Sequence, residues 1–285
     1  MRRSLFIFFL FLVTVGCSFP DMYEYRPEIV VEGWIEDGGY PIVMVTTTVP
    51  VTEYYKEWDS LQEHIIRWAK VTVSDGEKEE VLIGKMNSDY FPPYIYTTAR
   101  IIGQSGRTYT LSVEYSGRTV TAKTTIPSPV GLDWIRVEQT ENEKYMIKAG
   151  LRDNPDTKDY YKFFTKIMKK DSVYTSSFMG LIDDGMIQDE VMEVIVRGAP
   201  SPEFGLTEAS VYYSSDDCVM VRLSTLDYDS FCYWEDFEDI LTLSHNPFFP
   251  VSKKIRSNVS SGYGYWAGYG STYYTVSIPD SLSVR

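Results

Sequence analysis

Thr108-Tyr109-Thr110-Leu111-Ser112-Val113-Glu114-Tyr115, then Ser116-Gly117, then Arg118-Thr119-Val120-Thr121-Ala122-Lys123-Thr124-Thr125, is the stretch that decides the fold class. Apolar and polar residues alternate on both sides of a two-residue connection. In a strand, alternation sends one set of side chains to a core and the other to water. A short connection ending in Gly suits an antiparallel hairpin. The same reading extends upstream. Ile29 to Ile35 and Pro41 to Thr46 flank Asp37-Gly38-Gly39, and Lys70 to Ser74 ends at Asp75-Gly76 before Val81-Leu82-Ile83. One irregular excursion, Pro50 to Trp68, holds room for a short helix from Ser60 to Trp68.

Tyr109 follows a turn glycine, Gly106, and precedes alternating apolar residues. That arrangement resembles the tyrosine corner of immunoglobulin-like sandwiches, in which the hydroxyl bonds back to upstream backbone. The reading is therefore mainly β, with two tandem β-sandwich domains of immunoglobulin or fibronectin-III type. Ile126-Pro127-Ser128-Pro129 interrupts the pattern by removing donors, so the first sandwich is placed at 28–127 and the second at 130–285. In the second, strands are expected at Trp134 to Glu138, Tyr145 to Arg152, Tyr160 to Lys169, Val191 to Arg197 and Cys218 to Leu226. Between Asp229 and Leu243 the period changes: Phe231, Trp234, Phe237, Ile240 and Leu241 fit one amphipathic helix. Tyr263 to Ile278 reads as a Gly- and Tyr-rich loop that ends as a strand.

The N-terminus reads as an address. Met1 to Ser4 is short and basic, and Leu5 to Val15 is apolar except for Thr14. As a helix this run would reach about 16 Å, half of a ~30 Å hydrocarbon core, which fits a signal peptide at 1–16 better than a permanent span. Thr14-Val15-Gly16-Cys17 resembles a bacterial lipobox, which makes Cys17 the expected site of lipidation and of fatty acyl chains such as palmitate. Residues 17–27 then form a tether. Cys218 and Cys232 fall at opposite ends of a strand-then-helix segment, beyond the ~7 Å that a disulfide tolerates, so two free, largely buried thiols are expected.

The 285 residues carry 27 Lys+Arg against 40 Asp+Glu, a formal net charge of −13. An expected leader holding Arg2 and Arg3 leaves the mature body more negative still. Such a body repels phosphate backbones, which argues against nucleic acid as a partner. Enzymatic signatures are sparse. The two histidines, His64 and His245, read as solvated loop residues, with no HExxH, paired CxxC, GxSxG or Walker loop beside them. Gly262-x-Gly264-x-x-Ala267 lacks the strand–helix context of a dinucleotide site. Asp183-Asp184, Asp189-Glu190, Asp216-Asp217 and Glu235 to Asp239 match no calcium loop. The last run reads as a solvated helix face. No catalytic residue, metal or cofactor is expected, and a carboxylate hydrolase ranks last among the functions considered.

Aromatic residues make up 15% of the chain. Tyr54, Tyr55 and Trp58, then Tyr90, Phe91 and Tyr94, read as covering the ends of the sandwiches. Tyr263, Tyr265, Trp266 and Tyr269 are the expected ligand or partner contact, since rigid rings with polar tips suit interfaces.

Taken together, the lipobox, Val30 to Ile35, Gly106 to Val113, Asp227 to Trp234 and the stretch His245-Asn246-Pro247-Phe248-Phe249-Pro250…Asn258…Gly262-Tyr263-Gly264-Tyr265-Trp266-Ala267-Gly268-Tyr269 resemble a family of Bacteroidota outer-membrane lipoproteins classed as a domain of unknown function. Val259 and Tyr265-Trp266-Ala267 depart from that family's usual Ile and Ile-Phe-Gly. The resemblance implies genes beside SusC-like TonB-dependent transporters, and hence an accessory binding role in the uptake of a glycan or peptide. The alternative is an adhesin or envelope-structural lipoprotein with no transport role.

Overall fold

Ser116 and Gly117 take φ of 50° and 75°, the left-handed turn that matches strand twist, and close the hairpin Thr108–Tyr115 (β7) and Arg118–Thr125 (β8). The computed structural model describes residues 25–49, 62–140, 144–152, 154–187, 190–199, 212–243 and 253–279. Upstream of the hairpin lie Ile29–Glu36 (β1), Ile42–Thr47 (β2), Lys70–Ser74 (β3), Glu79–Val81 (β4), Ile83–Met86 (β5) and Tyr94–Thr97 (β6). Downstream come Leu132–Gln139 (β9), Tyr145–Leu151 (β10), Tyr160–Ile167 (β11), Thr175–Asp183 (β12), Met192–Val196 (β13) and Cys218–Leu226 (β14). The helix Tyr228–Leu243 (α1) and the long strand Tyr263–Ser277 (β15) follow. In place of the helix expected from Ser60, the described part of the excursion holds a single 3-10 turn, Gln62–His64.

The strands form three sheets, ordered β12-β11-β14-β15-β1-β2-β6-β5, β4-β3-β7-β8 and β13-β10-β9. The four-stranded sheet packs on one half of the eight-stranded sheet, enclosing Ile29, Val31, Val71, Leu111 and Trp266. The three-stranded sheet packs on the other half around Ile147, Tyr161, Phe163, Val221 and Leu223. Tyr109 is fully buried; its hydroxyl donates to Ile102 O at 3.2 Å and accepts from Gln104 N at 2.9 Å, the corner that the sequence suggests.

The two cores lie on either side of Pro127–Pro129 but share a sheet. β15 runs parallel to β1, pairing Glu32 with Tyr265 and Trp34 with Ala267, and antiparallel to β14, pairing Arg222 with Tyr273. Residues 263–269, expected as an aromatic loop, are thus strand. The alternation of Gly with Tyr has a packing cause. Gly264 sits at φ 102° with the Val31 carbonyl where a Cβ would project, and Gly270 lies likewise against the Pro127 carbonyl. The glycines let neighbouring backbone close in on one face while tyrosines fill the other.

α1 lies on the opposite face of the eight-stranded sheet. Asp227 caps it, accepting from Ser230 N at 2.9 Å, and its other oxygen accepts from Thr124 Oγ1 at 2.6 Å, which ties the helix to β8. Phe231, Cys232 and Trp234 turn inward against Phe164, Leu226, Tyr265 and Tyr269. The acidic run of this helix is not a plain solvated face. Asp236 is 1% exposed beneath Arg256 and Lys253, and Glu238 pairs with Lys162, whose side chain is wholly buried. Cys218 and Cys232 are free thiols, half-buried and buried respectively.

Candidate ligand-binding cleft

β1 reads Ile-Val-Val-Glu-Gly-Trp-Ile-Glu, and strand alternation sends Ile29, Val31 and Ile35 into the first core. Glu32, Trp34 and Glu36 therefore stand in a row on the other face, which α1 covers only in part. Beside the helix this face sinks into a cleft of about 490 Å³. β1 forms its floor with Phe164 of β11, Arg222 of β14, and Tyr265, Tyr269 and Tyr273 of β15; Tyr90 and Phe91 stand at one wall and residues 172–176 at the other.

Arg222 is 7% exposed and sits in an aromatic surround, its guanidinium 3.9 Å from the Phe164 ring centroid, 5.2 Å from Tyr174 and 5.5 Å from Tyr269. Glu36 neutralises it by an ion pair, and Tyr273 donates its hydroxyl to the second Glu36 oxygen. Two buried polar atoms in the cleft wall, Arg222 Nε and the Tyr174 hydroxyl, have no partner. Burial pushes the Tyr174 and Tyr269 hydroxyls up, so both stay protonated at neutral pH.

Glu32 meets solvent through the cleft mouth, while protein surrounds it on its other sides. Desolvation by those walls raises its carboxyl from 4.5 to about 6, against the lowering effect of a bond from the Tyr265 hydroxyl, which is long at 3.4 Å. An acid whose folded value exceeds its unfolded one loses stability as pH rises through that interval. Glu32→Gln is therefore expected to raise the melting temperature at pH 7.5 and leave it unchanged near pH 4 (thermal unfolding at both pH values measures this). An equal gain at the two pH values would contradict the assignment.

The four aromatics expected to make contacts are divided by the strand. Tyr265 and Tyr269, both buried, line the cleft. Trp266 points to the opposite face, fully buried in the first core, because strand neighbours face opposite ways. Tyr263, 40% exposed, lies at the strand start with Lys254 Nζ 5.5 Å from its ring centroid. Cys17 and His245 lie outside the described residues. His64 Nδ1 is 3.0 Å from the Thr47 hydroxyl, which holds it to the sheet. Asp183 and Asp184 are partnered by Lys158, and Asp217 by Lys170. Among the described residues, no three His, Cys, Asp or Glu side chains gather as a metal set.

Glu32, Trp34, Glu36 and Arg222 were not singled out by the sequence. Their signal is faint but present: a charged residue in the middle of Cys-Val-Met-Val-Arg-Leu-Ser-Thr-Leu, and carboxylates spaced four apart on one face of β1.

The described chain is thus a mainly β protein built from packed sheets, with an aromatic, charge-bearing cleft on the face its cores leave free. The family model described as "Domain of unknown function (DUF4249)" matches residues 18–275, and the chain belongs to that family. No curated protein matches it. Among solved structures, a cytokine receptor complex is similar at 10% identity and a TM-score of 0.25, over 68% of this chain and 89% of that one. The FN1–FN3 domains of chicken CNTN1 are similar at 9% identity and a TM-score of 0.24, over 89% of this chain and 67% of that one.

Proposed function

We propose that this chain is a non-enzymatic, lipid-anchored outer-membrane protein that binds a small nutrient molecule, a glycan or a peptide, in the cleft and works beside a TonB-dependent transporter. The cleft carries the binding half of this reading. Its volume of about 490 Å³ lies within the ~300–1,000 Å³ usual for small-molecule sites, and a few polar groups converge between aromatic walls. Glu36 is committed to Arg222 and Tyr273, which favours holding a ligand over acid–base chemistry. The anchoring half rests on the leader from Leu5 to Val15 and on Cys17. The transporter half rests on the family resemblance of Val30 to Ile35 and of the late Asn258 to Tyr269 pattern.

Affinity capture of the full-length protein from detergent-solubilised membranes, with mass spectrometry of the captured chain, tests both. The expected result is acyl mass on Cys17 and co-isolation of a TonB-dependent transporter. An unacylated chain released by osmotic shock would overturn the anchor, and repeated capture of the protein alone would overturn the partnership.

A further inference from the structure

We propose that the cleft selects a neutral saccharide of one or two rings, stacked on Trp34 and Tyr90 and read by Glu32, Tyr174 and Arg222. The inference rests on the binding-protein reading above and names its ligand class.

Charge gives the first constraint. The lining holds two acids, Glu32 and Glu36, and two bases, Arg222 and Lys166. Arg222 is paired with Glu36, and Lys166, which keeps its charge, donates to Ser172 O at 2.6 Å, so the two bases balance the two acids. A ligand carboxylate or phosphate would tip that balance, and an uncompensated charge in a partly desolvated cleft is costly. A free amino acid or short peptide brings such a carboxylate together with an ammonium, two formal charges to desolvate at once. A neutral ligand does not.

Hydrogen-bond capacity gives the second. Three groups have room to spare: the Arg222 Nε donor, the Tyr174 hydroxyl, and the Glu32 carboxylate with its single long bond. One seeks an acceptor, one seeks donors, and one takes either, so the ligand must offer both functions on a small scaffold. Hydroxyl groups donate and accept at the same atom. A polyhydroxylated ring therefore satisfies all three groups with little demand on its register.

Shape gives the third. The rings of Trp34 and Tyr90 lie 6.0 Å apart between centroids, tilted at 47°, at the edge of the cleft. An aromatic face is negative and attracts the positively polarised C–H face of a pyranose, while the sugar's hydroxyl rim points to the polar groups.

Isothermal titration of the full-length, detergent-solubilised protein against neutral mono- and disaccharides of the common hexoses and pentoses, and in parallel against tripeptides, tests the inference. At least one saccharide is expected to bind, with affinity changing less than about twofold between ~0.05 and ~0.5 M salt because no net charge is exchanged. Trp34→Ala should weaken that binding by at least about tenfold. Tyr174→Phe removes a hydroxyl with no protein partner, so it should weaken binding about threefold to tenfold while leaving the melting temperature unchanged. Tripeptide binding that is lost in Trp34→Ala, with no saccharide bound, would overturn the saccharide inference and keep the cleft as a binding site. Failure of both panels would overturn both readings, and saccharide binding indifferent to Trp34→Ala and Tyr174→Phe would overturn the placement.

Discussion

Trp266→Ala is expected to cost about 3–5 kcal/mol of folding stability, the usual range for emptying a large buried aromatic site. The indole is fully buried between β15 and the four-stranded sheet, and its Nε1–H donates to Tyr109 O at 3.1 Å. Removing it opens a cavity and strips a buried carbonyl of its donor. The backbone there is held independently by Asn258, whose Oδ1 accepts from Trp266 N at 2.9 Å and whose Nδ2 donates to Trp266 O at 2.8 Å. The strand should therefore stay in register, and the variant should unfold cooperatively at lower denaturant concentration. Urea unfolding followed by fluorescence and circular dichroism measures this. A loss below about 1 kcal/mol would mean that the side chain is not the keystone of the first core.

The second large effect is expected at Asp236. Its carboxylate accepts from Arg256 Nε at 2.7 Å, Arg256 N at 2.8 Å and Lys253 Nζ at 2.7 Å, so one acid fastens α1 to the segment that leads into β15. The Arg256 guanidinium holds this carboxyl far below its ordinary value, with burial opposing and Lys253 assisting. Asp236→Asn should cost about 2–4 kcal/mol at pH 7, the ~3–5 kcal/mol of a fully buried pair reduced because Arg256 and Lys253 reach water. The sign of the pH dependence follows from the depressed value. The contribution is whole above the ordinary aspartate pKa of 3.8 and declines as pH falls below it. The gap between wild type and variant should therefore narrow in urea titrations near pH 3. A gap that stays constant would point to lost packing rather than lost charge.

Several parts of this molecule were legible because their causes are local. Ser116-Gly117 and Asp37-Gly38 supply left-handed turn residues, and the flanking alternation assigns faces, so both hairpins could be read directly. Gly106 and Tyr109 marked the corner. The helical period from Phe231 onward marked α1, although the interleaved acids gave no sign that Asp236 and Glu238 would meet Arg256 and Lys162. β6 and β12 escaped notice: Tyr94–Thr97 is short and Thr175–Asp183 has an irregular register with β11, so neither shows a clean alternation. The first half of β15, read as a loop, escaped for a different reason. Glycines recurring at 262, 264, 268 and 270 ordinarily mark turns, and the backbone that approaches Gly264 and Gly270 comes from segments far away in the chain.

By itself, the sequence determined that this protein is built of short strands with an amphipathic helix, where several of its turns lie, and that it is acidic. Those features depend on neighbours within a few residues, which is the range over which turn chemistry and periodicity act. Only the tertiary structure decided that β15 enters between β14 and β1. That one pairing brings Arg222 within reach of Glu36, turns Tyr265 and Tyr269 toward Glu32, and sends Trp266 to the opposite core. A strand's alternation fixes which side chains share a face, but which strand lies beside it is set by packing between residues more than 200 positions apart.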